Sequence, residues 1–168
     1  MYDKLCKTQS DINENLPVLA RLASECKHVT EMGVRYCVST WAFIEGLQGG
    51  KLVSIDIKHP SFYNGDITLV EQACKDKGID FTFIEASTLD IKIEKTDLLF
   101  IDTLHTGEQL RQELKLHASK AKKYIVFHDT VSCESELMPV INEWLAEGKW
   151  KIKEHHLNNN GLLVAERC

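Results

Sequence analysis

HVTEMGVRYCVS, residues 28–39, is the stretch whose reading decides the fold. An apolar run that ends in Glu31 and Gly33 and passes at once into a helical pattern is the first strand and ligand-binding turn of an open α/β sheet. Two later pieces, IDTLH (101–105) and FHDT (127–130), each close an apolar run with an aspartate. The carboxyl ends of parallel strands share one rim, so three distant segments are expected to face a single crevice.

Composition sets the outer limits. With 168 residues, 43% of them hydrophobic and 27% charged, the chain can bury one good core and is too short for two ordinary domains. A single domain over 1–168 is expected, with an N-terminal helix at about 11–26 and a core over 28–168. The net charge is −5 and the basic residues are scattered, the densest group being Lys120, Lys122 and Lys123. Nucleic acid is therefore not an expected partner. The six cysteines form no CxxC pair and several fall in apolar patterns, as reduced thiols of a cytoplasmic protein do. No window approaches the ~18 apolar residues of a membrane span, and the first fifteen residues lack a signal-peptide pattern. A soluble, cytoplasmic chain without a membrane partner is expected.

Outward from the opening stretch, periodicity marks the elements. Asp11 and Glu14 have capping-box spacing, and Ile12, Leu16, Leu19, Leu22, Ala23 and Cys26 recur at helical intervals. The helix spans about 11–26, or starts near Asn15 if Pro17 lies in its first turn. After the strand 28–32 come a helix over 38–47 stopped by Gly49 and Gly50, and a strand over 51–56 ending in Asp56. A loop with His59, Pro60, Asn64 and Gly65 leads to a helix carrying Ile67, Val70 and Cys74, and then to a strand over 80–85. Residues 86–94 are a connection. DLLFID, 97–102, is continuously apolar, as a strand covered on both faces should be. A helix over 107–117, a strand over 124–128 and a helix over 136–147 follow. The last segments, 150–157 and 162–167, read as a hairpin about the turn 158–161. The pattern predicts an α/β domain: a Rossmann-like, doubly wound, mostly parallel seven-stranded sheet closed by an antiparallel hairpin.

The acids at strand ends carry the chemistry. Asp56 lies ~20 residues after Gly33, where such folds place the acid that accepts from ribose hydroxyls. Asp102 and Asp129 end neighbouring apolar runs, and two such carboxylates repel unless solvated or separated by a cation. A bound divalent cation answers this, and oxygens from Asp102, Asp129 and Thr130 suit Mg²⁺, with His128 as the alternative ligand. His105, three residues after Asp102, has an ordinary pKa of roughly 6.5, suited to a general base. His155 and His156 are adjacent and so point to opposite faces of a strand; His117 and the three tryptophans fit packing roles.

The segment EMGVRYCVST, Glu31 to Thr40, resembles the first motif of S-adenosylmethionine-dependent O-methyltransferases, E-x-G-x-x-x-G-x-S. The likeness is to the small metal-dependent group that includes catechol O-methyltransferase and the macrocin-type sugar O-methyltransferases. Glu31, Gly33 and Ser39 match; Cys37 stands where the second glycine belongs. The resemblance runs over about 11–167. It implies the class I methyltransferase fold and S-adenosylmethionine held by Glu31, Gly33, Ser39, Asp56, Ala86, Ser87 and Asp102. It further implies Mg²⁺ at Asp102, Asp129 and Thr130, the last replacing the family's Asn, with His105 as the base beside a small-molecule or sugar hydroxyl. A homodimer is a candidate assembly because nothing caps the site. Two other readings stand beside it: a member of the fold that binds without transferring, and a cephalosporin-hydroxylase-like metal enzyme.

Overall fold

The apolar runs that end in acids do become parallel strands, and their ends do share a rim. The structure, a computed structural model, describes residues 1–168. In chain order it contains α1 (Tyr2–Lys7), α2 (Leu16–Ser24), β1 (His28–Met32), α3 (Val38–Gly46), β2 (Gly50–Asp56), α4 (Ile67–Asp76) and β3 (Ile79–Glu85). Then follow β4 (Thr96–Ile101), α5 (Gly107–His117), β5 (Ala121–His128), α6 (Glu134–Leu145), β6 (Trp150–His156) and β7 (Leu162–Arg167). The seven strands form one sheet in the order β3-β2-β1-β4-β5-β7-β6. The pairs β3–β2, β2–β1, β1–β4 and β4–β5 are parallel, and β7 runs antiparallel to both β5 and β6.

Alternation along the central strands sends side chains to two cores. Leu98 and Phe100 of β4 join Leu19 of α2, Phe43 of α3 and Val70 of α4 on one face, with Phe43 and Phe100 edge to face at 5.5 Å. Leu99 and Ile101 join Leu110 of α5 and Ile141 of α6 on the other. Every residue of β4 is buried, which is why its sequence carries no polar alternation. No helix is long and apolar enough to cross a membrane.

The N-terminal helix is shorter than its periodicity suggested. Residues Asn13–Asn15 form a 3₁₀ turn, and α2 starts at Leu16 with Pro17 in its first turn. The expected capping box is absent because its members are engaged elsewhere. The Glu14 amide donates to Asn159 Oδ1 and its carboxylate accepts from Asn158, while Asp11 pairs with Arg35 at 3.2 Å. The helix α1, six residues with none buried, was not foreseen. Residues 86–95 cross from β3 to β4 without a helix, as the sequence suggested.

Candidate active site at the carboxyl rim

The turn after β1 is held from both sides. Gly33 has φ +87°, its amide donates to the Ile55 carbonyl of β2 at 2.9 Å, and Asp102 N, just past β4, donates to Met32 O at 2.8 Å. Asp56 closes the loop: Oδ2 accepts from the amides of Val34 at 2.7 Å and Arg35 at 3.0 Å, and Oδ1 from Lys58 N at 3.0 Å. Cys37, in the position of the motif's second glycine, has φ +63°, the left-handed backbone that glycine adopts freely. Its side chain turns into the core, where burial pushes the thiol up to about 12.

Glu31 lies beneath this turn with no exposed surface. It accepts from the hydroxyls of Ser39 at 2.5 Å, Thr40 at 2.9 Å and Ser54 at 2.6 Å. Burial raises its carboxyl to about 7 although the three hydroxyls pull the other way. Glu31, expected among the cofactor ligands, therefore supports the loop from within and has no face to offer a ligand. The other expected positions do meet. A cavity of about 270 Å³ is bounded by Asp11, Gly33, Arg35, Ser39 and Asp102, and one of about 260 Å³ by Gly33, Asp56, Ala86, Ser87 and Gln109. Gly33 lines both, so the two cavities adjoin at its turn. A larger cavity of about 520 Å³, between α5, α6 and Trp150, holds none of the strand-end carboxylates.

Asp102 and Asp129 follow β4 and β5, which pair directly, so their carboxylates converge. Two imidazoles stand between them. His105 Nε2 is 3.2 Å from Asp102 Oδ1 and 2.8 Å from Asp129 Oδ2; His128 Nδ1 is 3.2 and 3.1 Å from the same two oxygens. The hydrogen bonds it donates to the Asp102 and Asp129 carboxylates raise His105 to about 10. Burial opposes a charge on His128, but the two carboxylates outweigh it and take that ring to about 10 as well. For Asp102 and Asp129 burial acts upward, and the bonds from both histidines hold each below the usual carboxylate range. The repulsion anticipated from sequence is thus met by two protonated rings.

The hydroxyl of the expected third ligand, Thr130, lies 3.1 Å from His155 Nε2. It is His128 that stands with the carboxylates: ligand atoms of Asp102, His128 and Asp129 lie within 4.8 Å of one another, as do those of His105, Asp129 and Cys133. Such sets of carboxylate and imidazole can hold a divalent metal. Sequence reasoning missed Asn160, whose amide donates to Asp129 Oδ1 at 2.8 Å, and Asp11, whose carbonyl accepts from His128 Nε2 at 3.2 Å. Neither carried a local signal, since Asp11 had the look of a helix cap and Asn160 of a turn residue.

A seven-stranded sheet of this order, with a reversed β7 and a crevice over the Gly33 turn, defines the class I methyltransferase fold. The sequence matches no protein-family description and no curated protein. Solved structures do resemble the chain. The O-methyltransferase of Bacillus cereus in complex with S-adenosylhomocysteine superposes with a TM-score of 0.66 at 16% identity, over 96% of this chain and 82% of that one. The S-adenosylhomocysteine-bound methyltransferase of Podospora anserina gives 0.65 at 13% identity, over 96% and 80%. The N-methyltransferase NodS of Bradyrhizobium japonicum, also with S-adenosylhomocysteine, gives 0.62 at 14% identity, over 99% and 95%. O- and N-methyltransferases share this fold, so the site must decide the acceptor atom.

Proposed function

We propose that the chain is an S-adenosylmethionine-dependent methyltransferase that methylates a hydroxyl oxygen of a small molecule or sugar with the help of a divalent cation. One observation carries this reading: Asp102 lines the crevice at Gly33 and also belongs to the carboxylate and imidazole cluster. A cofactor in that crevice and an acceptor at that cluster would be neighbours.

Ala86, Ser87 and Gln109 suit the adenine end of the crevice, and Ser39 and Arg35 the amino-acid end. Asp56 Oδ1 accepts one amide, which leaves it lone-pair capacity for a ribose hydroxyl. Asp102 and Asp129 would hold the cation, whose chemistry is to lower the pKa of a bound hydroxyl. A cation held there would offset the two carboxylates that raise His105, and the ring could then accept the acceptor's proton. Its side chain is 34% exposed, so it can reach a substrate. Fixing donor and acceptor in line supplies most of the rate in such a transfer.

A second reading has its own support. The two protonated rings already neutralise the cluster, and Cys37 departs from the glycine pattern, as a binding member of the fold without transfer activity would allow. Calorimetric titration with S-adenosylmethionine, followed by transfer of a labelled methyl group to catechol and sugar acceptors with and without a chelator, separates the two. Binding with cation-dependent transfer is expected. Absence of heat at millimolar cofactor overturns both.

A further inference from the structure

A cation between Asp102 and Asp129 would also meet a nitrogen, and the surroundings of that nitrogen select the cation. We infer that His128 Nδ1 is a metal ligand and that the site prefers a later first-row transition dication, Fe²⁺ through Zn²⁺, to Mg²⁺. This rests on the divalent-cation reading above.

The His128 ring is almost wholly buried, and its far nitrogen, Nε2, lies 3.2 Å from the Asp11 carbonyl oxygen. A carbonyl only accepts, so Nε2 keeps its proton, and a cation that displaced the other proton would find the ring's lone pair at Nδ1. An imidazole anchored through its other N–H to a backbone carbonyl is the usual outer support of a metal-bound histidine. Asp11 comes from the segment before α2, so this anchor is independent of the strand ends that carry the acids.

The spacing is also suitable. Nδ1 stands 3.2 Å from Asp102 Oδ1 and 3.1 Å from Asp129 Oδ2. Two ligands with bonds of ~2.1–2.2 Å at right angles are about 3.0–3.1 Å apart, so these atoms need little movement to share one ion. Asn160 and Ser132 hold the other oxygen of Asp129, which leaves Oδ2 directed at the ring. The Thr130 hydroxyl lies 3.1 Å from His155 Nε2.

The protein shell is therefore two carboxylate oxygens and one imidazole nitrogen. Mg²⁺ favours oxygen ligands and retains its waters, whereas imidazole suits the later first-row ions.

The test uses the full chain, stripped with a chelator and free of cofactor and acceptor, with Cys168→Ser to remove an exposed thiol. CoCl₂ and MgCl₂ are titrated separately and in competition, read by calorimetry and by the visible absorption of Co²⁺. One Co²⁺ per chain is expected, at least 100-fold tighter than Mg²⁺, and His128→Asn should weaken Co²⁺ by roughly 10–100-fold while changing Mg²⁺ less than threefold. Equal affinities for the two ions, or no binding because the cluster is an internal ion pair only, would overturn the inference. If His128→Asn does not fold, the wild-type competition and the ¹⁵N shift of His128 Nδ1 on adding Zn²⁺ decide instead. S-adenosylmethionine binding is titrated in parallel: cofactor binding without the ion preference defeats this inference alone, and loss of cofactor binding defeats the reading beneath it.

Discussion

A Cβ built on Gly33 would lie 1.8 Å from the carbonyl oxygen of Asp102, so the turn after β1 and the end of β4 touch backbone to backbone. This contact couples the crevice to the carboxylate cluster. Gly33→Ala would have to push the Asp102 backbone away while adopting a left-handed φ of +87°. We expect a loss of at least about 3 kcal/mol of unfolding free energy, measured in urea. Ion binding should weaken with it, because Asp102 moves. A variant of wild-type stability would mean that the two segments are not in contact.

Cys37 meets the demand for left-handed backbone without being glycine, and its side chain points inward to the core. Cys37→Gly would relieve about 1–2 kcal/mol of backbone strain and forfeit a comparable amount of apolar burial. The net stability change should stay within about 1 kcal/mol, and the affinity for S-adenosylhomocysteine, by calorimetry, within twofold. A tenfold gain in affinity would show instead that the cysteine obstructs the crevice.

Glu31 sets a pH dependence of opposite sense to that of most carboxylates. Its pKa rises from 4.5 to about 7 in the fold, so the protonated form is the one the interior favours. Its favourable contribution is complete below pH 4.5 and is lost as pH rises through 7. Glu31→Gln keeps the shape and cannot ionise. Since one pKa unit is 1.36 kcal/mol, the variant should gain on the wild type by on the order of 2–3 kcal/mol between pH 5 and pH 8. Thermal unfolding of the two proteins across that range gives the comparison, and parallel curves would show that Glu31 stays ionised throughout.

The architecture could be read because its signals are local. DLLFID is apolar at both alternations, so β4 had to be covered on both faces, and each run that stopped at an acid placed that acid on one rim. How each acid is used was not local. The spacing of Asp56 from Gly33 suggested ribose, but the same carboxylate also accepts the amides of Val34 and Arg35, a task that exists only once the turn has formed. The contact of the Thr130 hydroxyl with His155, which reaches it from β6, was likewise not local. Asn160 on Asp129 and Asn159 on the Glu14 amide join residues 31 and 145 positions apart, separations that periodicity does not encode. The short α1 escaped because six residues give too few repeats to show a period.

Asp129 occupies left-handed backbone at φ +58°, a conformation that asparagine tolerates as well as aspartate does. Asp129→Asn therefore removes a charge from the cluster without adding backbone strain. Both rings owe their pKa values of about 10 to the Asp102 and Asp129 carboxylates together. With one carboxylate gone, His105 and His128 of the chelator-treated, metal-free protein should titrate at lower pH, by at least one unit in ¹H NMR of the ring protons. A histidine raised in the fold contributes stability that is full below its ordinary value of ~6.5 and is lost as pH climbs through 10. The cost of the substitution should therefore be greatest near pH 6, about 3 kcal/mol for breaking a buried pair, and should shrink toward pH 10. Ring titrations near 6.5 in the wild type, unmoved by Asp129→Asn, would mean that the histidines do not balance these carboxylates and that another cation holds the strand ends together.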